Sequence, residues 1–146
     1  MRQINETGLS LIESYETLSL VPYDDGYGFL TIGWGHKMLP GDSGVAITPE
    51  EADALLYYDL RLAEEAVTRL VTEPLNDNQF AALVSFVFNV GQGHFSGSTM
   101  RRMLNKGDFA GAVKQFARWD MSAGQHSNGL KRRRSEEASL FVLPVA

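Results

Sequence analysis

The sequence predicts an α+β chain that is mainly α-helical, and three observations carry that expectation. Apolar residues recur at helical spacing over most of the chain, one short stretch alternates like a strand, and Gly, Pro and Asp cluster where one pattern gives way to the other. At 146 residues, with 44% hydrophobic and 21% charged residues, the chain is long enough for one domain with a sizeable core. It has no cysteine, so neither a disulfide nor a thiolate metal site is available to it.

Taken in order, Ile4, Leu11, Ile12 and Tyr15 mark a first helix, with Asn5 followed by Glu6 as its start signal. Glu16 closes it. A carboxylate there faces the negative end of the helix dipole, which opposes ionisation. Pro22 stops any helix, Asp24 to Gly28 reads as a turn, and Phe29 to Trp34 reads as a strand. Residues 37–44 form a turn-rich loop. Thr48 and Glu51 then make a capping box with Pro49 at the first helical position, opening a long helix over about 49–71. Its inward residues are Leu55, Leu56, Leu62, Ala63, Ala66, Val67 and Leu70, and its acids Asp53, Asp59, Glu64 and Glu65 read as a solvated face.

The next helix, from about Asn76, is apolar nearly all round and so belongs at the centre of the larger lobe, with Asn89-Val90-Gly91 closing it through a left-handed cap. Gln92 to Gly97 reads as a loop. Ser98 caps a short helix through Leu104, and Asp108 caps another with Phe109, Ala112, Val113 and Phe116 inward. Trp119 anchors a loop over 120–129. The last helix turns Leu130, Leu140 and Phe141 inward. Arg132, Arg133 and Arg134 are consecutive and cannot share one face, so at least one points inward to a carboxylate, for which Glu16 is the candidate. The long helix thus joins a lobe over about 12–50, holding the small sheet, to a helical lobe of 1–11 and 72–146.

The formal net charge of −5 is unevenly spread, with acids dominating residues 1–100 and Lys and Arg dominating 101–134. A basic face of that kind attracts an anionic polymer. It lacks the interleaved aromatics and recognition helix of a nucleic-acid module. No stretch of roughly 20 apolar residues is present to span a membrane, and residues 1–15 lack the apolar run of a signal peptide. There is no Cys/His cluster, phosphate-binding glycine loop or His-Glu-x-x-His, so no metal and no cofactor is expected.

The chemistry concentrates in residues 16–36, where eight residues separate Glu16 from Asp25 and five separate Asp25 from Thr31. An acid kept neutral at a helix end, and another kept ionised in a polar turn by hydrogen bonds from backbone or Thr31, share the labour of glycoside hydrolysis. Alone, each residue reads otherwise. A single Glu is usually solvated, Thr31 is a strand former, Gly33 and Gly35 are turn glycines, and His36 is a structural histidine. Burial favours a neutral Glu16 and a nearby Arg the ionised form, and the sequence leaves both open.

This spacing, running into Thr31-Ile-Gly-Trp-Gly-His36, resembles the signature of phage-type lysozymes, glycoside hydrolase family 24. Asn78 to Gly91 is similar to the family's central helix and Ser98 to Asn105 to the helix after it. Gly129 to Arg134, with Glu136, Glu137, Leu140 and Phe141, resembles its closing helix. The resemblance spans nearly the whole chain and is closest to the soluble endolysins of tailed phages. It implies a lysozyme-like fold with a small β-containing N-terminal lobe and a larger helical C-terminal lobe joined by a long helix. It implies that Glu16 is the general acid, that Asp25 and Thr31 position or activate water, and that His36 makes a structural ion pair. Gly35, Lys37, Phe88, Ser98 and Lys114 correspond to positions that bind the sugar polymer.

The implied activity is hydrolysis of the β-1,4 bond between N-acetylmuramic acid and N-acetylglucosamine in bacterial peptidoglycan, causing host cell lysis. The expected partner is peptidoglycan, with a holin needed for release but not contacted, and with neither nucleic acid nor membrane bound. A monomer made in the host cytoplasm would then act on the wall in the envelope. Two alternatives keep the fold: a lytic transglycosylase, against which Asp25 and Thr31 argue, and a non-catalytic peptidoglycan-binding module, against which the intact Glu, Asp and Thr argue.

Overall fold

Asn5 starts the first helix as its side chain accepts the Gly8 N–H at 2.9 Å, and α1 (Glu6–Tyr15) follows. The computed structural model describes residues 2–26, 28, 30–38 and 45–145. After α1 comes an antiparallel sheet of β1 (Ser19–Asp24), β2 (Leu30–Gly33) and β3 (His36–Lys37), in that spatial order. The expected capping box opens α2 (Pro49–Leu70): Thr48 Oγ1 accepts the Glu51 N–H at 3.1 Å, and Glu51 Oε1 accepts the Thr48 N–H at 3.1 Å. Asn76 and Gln79 repeat the device for α3 (Asp77–Val90).

Four helices complete the chain: α4 (Gln92–Ser96), α5 (Thr99–Asn105), α6 (Phe109–Gln115) with a 3-10 turn at Phe116–Arg118, and α7 (Asn128–Val142). A hairpin of β4 (Met121–Ser122) and β5 (Gln125–His126) lies before α7. The class is α+β and mainly helical, as the patterns predict.

Several local expectations change. Pro22 has no helix to stop, since α1 has ended at Tyr15; it sits inside β1, a strand that sequence reading did not expect. The strand tolerates it because β1 is an edge and its register slips between Ser19 and Tyr23. Phe29, expected to open the second strand, and residues 39–44 of the expected loop lie outside the described residues. Gly91 closes α3 with the positive φ expected of a glycine cap, at 93°, but its ψ of 148° departs from the left-handed helical value, and Gln92–Ser96 is helix where a loop was expected. The loop expected over 120–129 contains the β4–β5 hairpin, and Ser127 caps α7.

Helix α3 lies at the centre, with every residue from Phe80 to Val87 buried. Helices α2 and α7 pack along it and α1 packs across it. The α1–α3 approach is close enough that a methyl group at Gly8 would lie 2.7 Å from Ala81 Cβ. Phe86 anchors the far side, meeting Phe116 edge-on at 5.4 Å and Trp119 at 5.5 Å. Ile12 belongs to this core, so the lobe change expected at residue 12 falls inside a single helix.

The acids of α2 are the largest departure. Asp53, Asp59 and Glu64 each meet a partner outside α2. Trp34 Nε1 donates to Asp53 at 2.9 Å, His36 Nδ1 lies 2.8 Å from Asp59 Oδ2, and the Ile4 N–H donates to a buried Glu64 at 2.6 Å. Leu62, expected inward, is 54% exposed. What pattern reading took for a wet face fastens the sheet and the N-terminal segment to α2, because each carboxylate finds a donor outside its own helix.

The β4–β5 turn gives a stability test. Ala123 has φ 51° ahead of Gly124 at φ 79°, a two-residue turn with both central residues left-handed, where a Cβ is disfavoured. Ala123→Asn should raise unfolding free energy by about 0.5–1 kcal/mol. Urea denaturation would show this as a higher midpoint at unchanged slope; a lower midpoint would mean that the turn is not limited by its backbone.

Candidate active site

Glu16 follows α1 as its C-cap. Its backbone N–H still donates to Ile12 O at 3.1 Å, but ψ has swung to 136°, so the chain leaves the helix and the carboxylate turns toward β2 and α7. Position 35 must be glycine for that. Its φ is 81°, and a methyl group there would lie 2.6 Å from Glu16 Oε2. On the other side Arg133 Nη1 donates to Glu16 Oε1 at 3.4 Å, so one of the three consecutive arginines does point inward and does meet Glu16.

Arg134 is buried as well, and only Arg132 faces solvent. Burial pushes the Glu16 carboxyl above its ordinary value, and the Arg133 charge and hydrogen bond pull it back without cancelling the rise. The conflict left open in the sequence thus resolves toward the proton, through burial.

The opposite wall comes from the sheet. Asp24 makes the turn, its Oδ1 accepting the Gly26 N–H at 2.8 Å, which leaves Asp25 to line the cleft. Thr31 lies in β2 opposite Tyr23 of β1 and is 4% exposed. The hydrogen bond expected between Thr31 and Asp25 is not formed: Thr31 Oγ1 has no hydrogen-bond partner among the described residues. Glu16, Asp25 and Thr31 share one cleft of about 720 Å³.

Of the residues expected to bind substrate, Gly35, Lys37 and Phe88 line this cleft and the other two do not. Ser98 is buried as the α5 N-cap, its hydroxyl donating to Phe95 O at 2.7 Å and accepting the Arg101 N–H at 3.1 Å. Lys114 is exposed on α6. His36 makes the expected ion pair, with Asp59.

Sequence reading missed Tyr23, Tyr58 and Leu62, which also line the cleft. Burial first, then the neighbouring carboxyl groups of Glu16 and Asp25, push the Tyr23 hydroxyl up. Its signal was its place two residues before Asp25, at the end of β1; that of Tyr58 and Leu62 was a four-residue spacing on α2. Among the described residues no group of three or more His, Asp or Glu is placed to hold a metal ion.

Residues 13–137 match the family described as Phage lysozyme. The chain belongs to the phage lysozyme family. Among the relatives of this phage lysozyme, the endolysin of Salmonella phage P22 is 39% identical over 146 residues, covering 97% of this chain and 99% of that one. The solved muramidase domain of SpmX from Asticaccaulis excentricus superposes with a TM-score of 0.88 at 39% identity, covering 99% of this chain and all of that one. A crystal structure of a P22 lysozyme mutant superposes at 0.85 with 37% identity, covering 98% of this chain and all of that one.

At Gly35 the positive φ and the nearby Glu16 carboxylate both disfavour a side chain. Gly35→Ala should lower kcat/KM on peptidoglycan by about 10²-fold, because the methyl displaces the Glu16 carboxylate, while the melting temperature falls by only a few degrees. Wild-type kcat/KM in the variant would show that the carboxylate has room to move.

Proposed function

We infer that the chain is an N-acetylmuramidase that hydrolyses the β-1,4 bond between N-acetylmuramic acid and N-acetylglucosamine in peptidoglycan. One observation carries the reading. A glutamate whose burial favours its proton faces, across one cleft, a carboxylate and a buried hydroxyl supplied by the sheet. Glu16 gives its proton to the bridging oxygen as the C–O bond breaks. A water between Thr31 Oγ1 and Asp25 attacks the sugar carbon from the opposite face, and Asp25 takes the proton it releases. Neither end of the reaction needs a metal, because an acid and a base of protein origin suffice.

Gly35, Lys37 and Phe88 contact the sugars from the cleft walls. The likeness to relatives called endolysins supports a place in host lysis, with a holin opening the membrane so that a monomeric enzyme made in the cytoplasm reaches the wall.

Digestion of purified peptidoglycan, followed by mass spectrometry of the soluble fragments, tests the reaction. Wild type should release reducing muramic-acid ends, Glu16→Gln and Asp25→Asn should each lose at least about 10²-fold in rate, and both variants should stay folded. Anhydro ends would make the enzyme a transglycosylase; wild-type-like release by Glu16→Gln would remove the acid role. No fragments from any of the three proteins would leave a wall-binding module.

The pH profile is a separate check. Because the reaction uses the protonated acid, and burial raises Glu16 above 4.5, the alkaline limb of kcat/KM should fall above the ordinary glutamate range. A limb at or below 4.5 would place the essential acid elsewhere.

A further inference from the structure

Behind the cleft, α7 buries more positive charge than negative. Arg133 and Arg134 are 3% and 1% exposed, Glu137 is fully buried, and these three share one short stretch of the helix. Glu137 Oε2 accepts from Arg133 Nε at 3.3 Å, from Arg134 Nη2 at 3.1 Å and from Ser85 Oγ at 2.6 Å, while Glu137 Oε1 lies 2.7 Å from Arg134 Nε. Arg134 Nη1 has no hydrogen-bond partner among the described residues, and the Arg134 Nε–Glu137 Oε1 contact is an ion pair without hydrogen-bond geometry. Arg133 Nη2 is taken by Ser85 O at 3.3 Å, and that leaves Nη1 for Glu16. The trio therefore presents a surplus of one positive charge, and it presents it to Glu16.

We propose that Glu137 and Arg134 are positioning residues for the acid: by sharing out the charge of Arg133, this buried pair sets how strongly Glu16 is held as a carboxylate. The proposal rests on the reading of Glu16 as general acid, but its test reads the proton directly. Glu137 orients Arg133 and offsets most of its charge, and Arg134 keeps Glu137 from offsetting all of it.

The other groups around Glu16 and the trio are accounted for. Tyr15 of α1 lies under Arg133, whose guanidinium is 5.5 Å from the ring centroid, and Ser85 of α3 is neutral. The sheet side brings Tyr23, Asp25, Lys37 and the His36–Asp59 pair to the cleft. Arg132 and Glu136 of α7 are exposed and carry opposite charges. Neither substitution adds or removes a charge on any of these groups, although Ser85 loses its carboxylate acceptor when Glu137 is replaced.

The direction of each effect follows. Glu137→Gln leaves two buried cations, which hold Glu16 ionised to lower pH. Arg134→Met leaves Glu137 to neutralise Arg133, so Glu16 keeps its proton to higher pH. The double variant returns the trio to a single positive charge.

The experiment titrates the Glu16 side-chain carboxyl by carbon NMR in the full-length protein and measures the alkaline limb of kcat/KM on soluble peptidoglycan fragments. Both should move down by about one pH unit in Glu137→Gln, up by about one in Arg134→Met, and back in the double variant. Ser85→Ala, which changes packing and the two hydrogen bonds of the Ser85 hydroxyl but no charge, should leave both in place. A purely structural role would lower stability in the single variants without shifts of opposite sign, and that result overturns the proposal.

If Glu137→Gln lacks a native near-UV spectrum, the test is carried by Arg134→Met, in which Glu137 still pairs with Arg133, and by the double variant, in which Arg133 keeps Glu16 as its one carboxylate. The titration must then rise in the first and return in the second, and no movement in either overturns the proposal. If the NMR titration moves as stated while the activity limb stays fixed, the positioning role stands and Glu16 is not the essential acid.

Discussion

The contact between Arg133 and Glu16 is the constraint around which the molecule is arranged. A guanidinium inside a helical core is tolerated only when its charge and donors are taken up, and here they are divided between Glu137, Ser85 and the one carboxylate that also looks into the cleft. That division fixes the rotation of α7 against α3, because Ser85 and Glu137 must face each other across the most apolar helix of the fold. It also fixes the end of α1, whose last turn delivers Glu16 to the same point. The absence of a side chain at position 35 completes the pocket for the carboxylate.

The second half of the site is fastened differently. The small sheet contributes little to the main core; Ile32 and Gly33 bury against α2, and polar ties do the rest. Asp53 takes the Trp34 indole N–H and Asp59 takes His36, so two acids on one helix hold the turn after β2 and the start of β3. Asp25 and Thr31 thus sit on a platform held by hydrogen bonds, opposite a Glu16 held by burial. A cleft made this way has one wall whose position follows from close packing and one whose position follows from a few directed contacts.

Sequence carried the helices well, since Asn5, Thr48, Asn76, Ser98 and Asp108 stand at helix starts and their side chains accept the backbone N–H groups expected of caps. The inward arginine and its partner were also legible, because three consecutive cations on a helix cannot all reach water. Strand β1 was not. It lies at the sheet edge, contains Pro22 and shifts register along its length, so neither periodicity nor propensity marks it. The acids of α2 misled for another reason: Glu64 finds its donor 60 residues away, at the Ile4 N–H, and a helical wheel carries no information about such a partner. Tyr58 and Leu62 failed likewise, since an apolar residue on a cleft wall and one in a core have the same spacing. Ser98 shows the converse, a position matched by pattern whose hydroxyl is occupied by its own helix start.

The long reach of one contact bears on how the molecule is made. Glu16 and Arg133 lie 117 residues apart, and the helix carrying the arginine is the final regular element of the chain. Local contacts can form α1 early, yet the environment that decides the proton on its last carboxylate cannot exist until α7 has docked. During synthesis the cleft therefore acquires its electrostatic character late, with the closing of the core, so that a partly folded chain carries the Glu16 carboxyl without the buried charges that surround it in the folded protein.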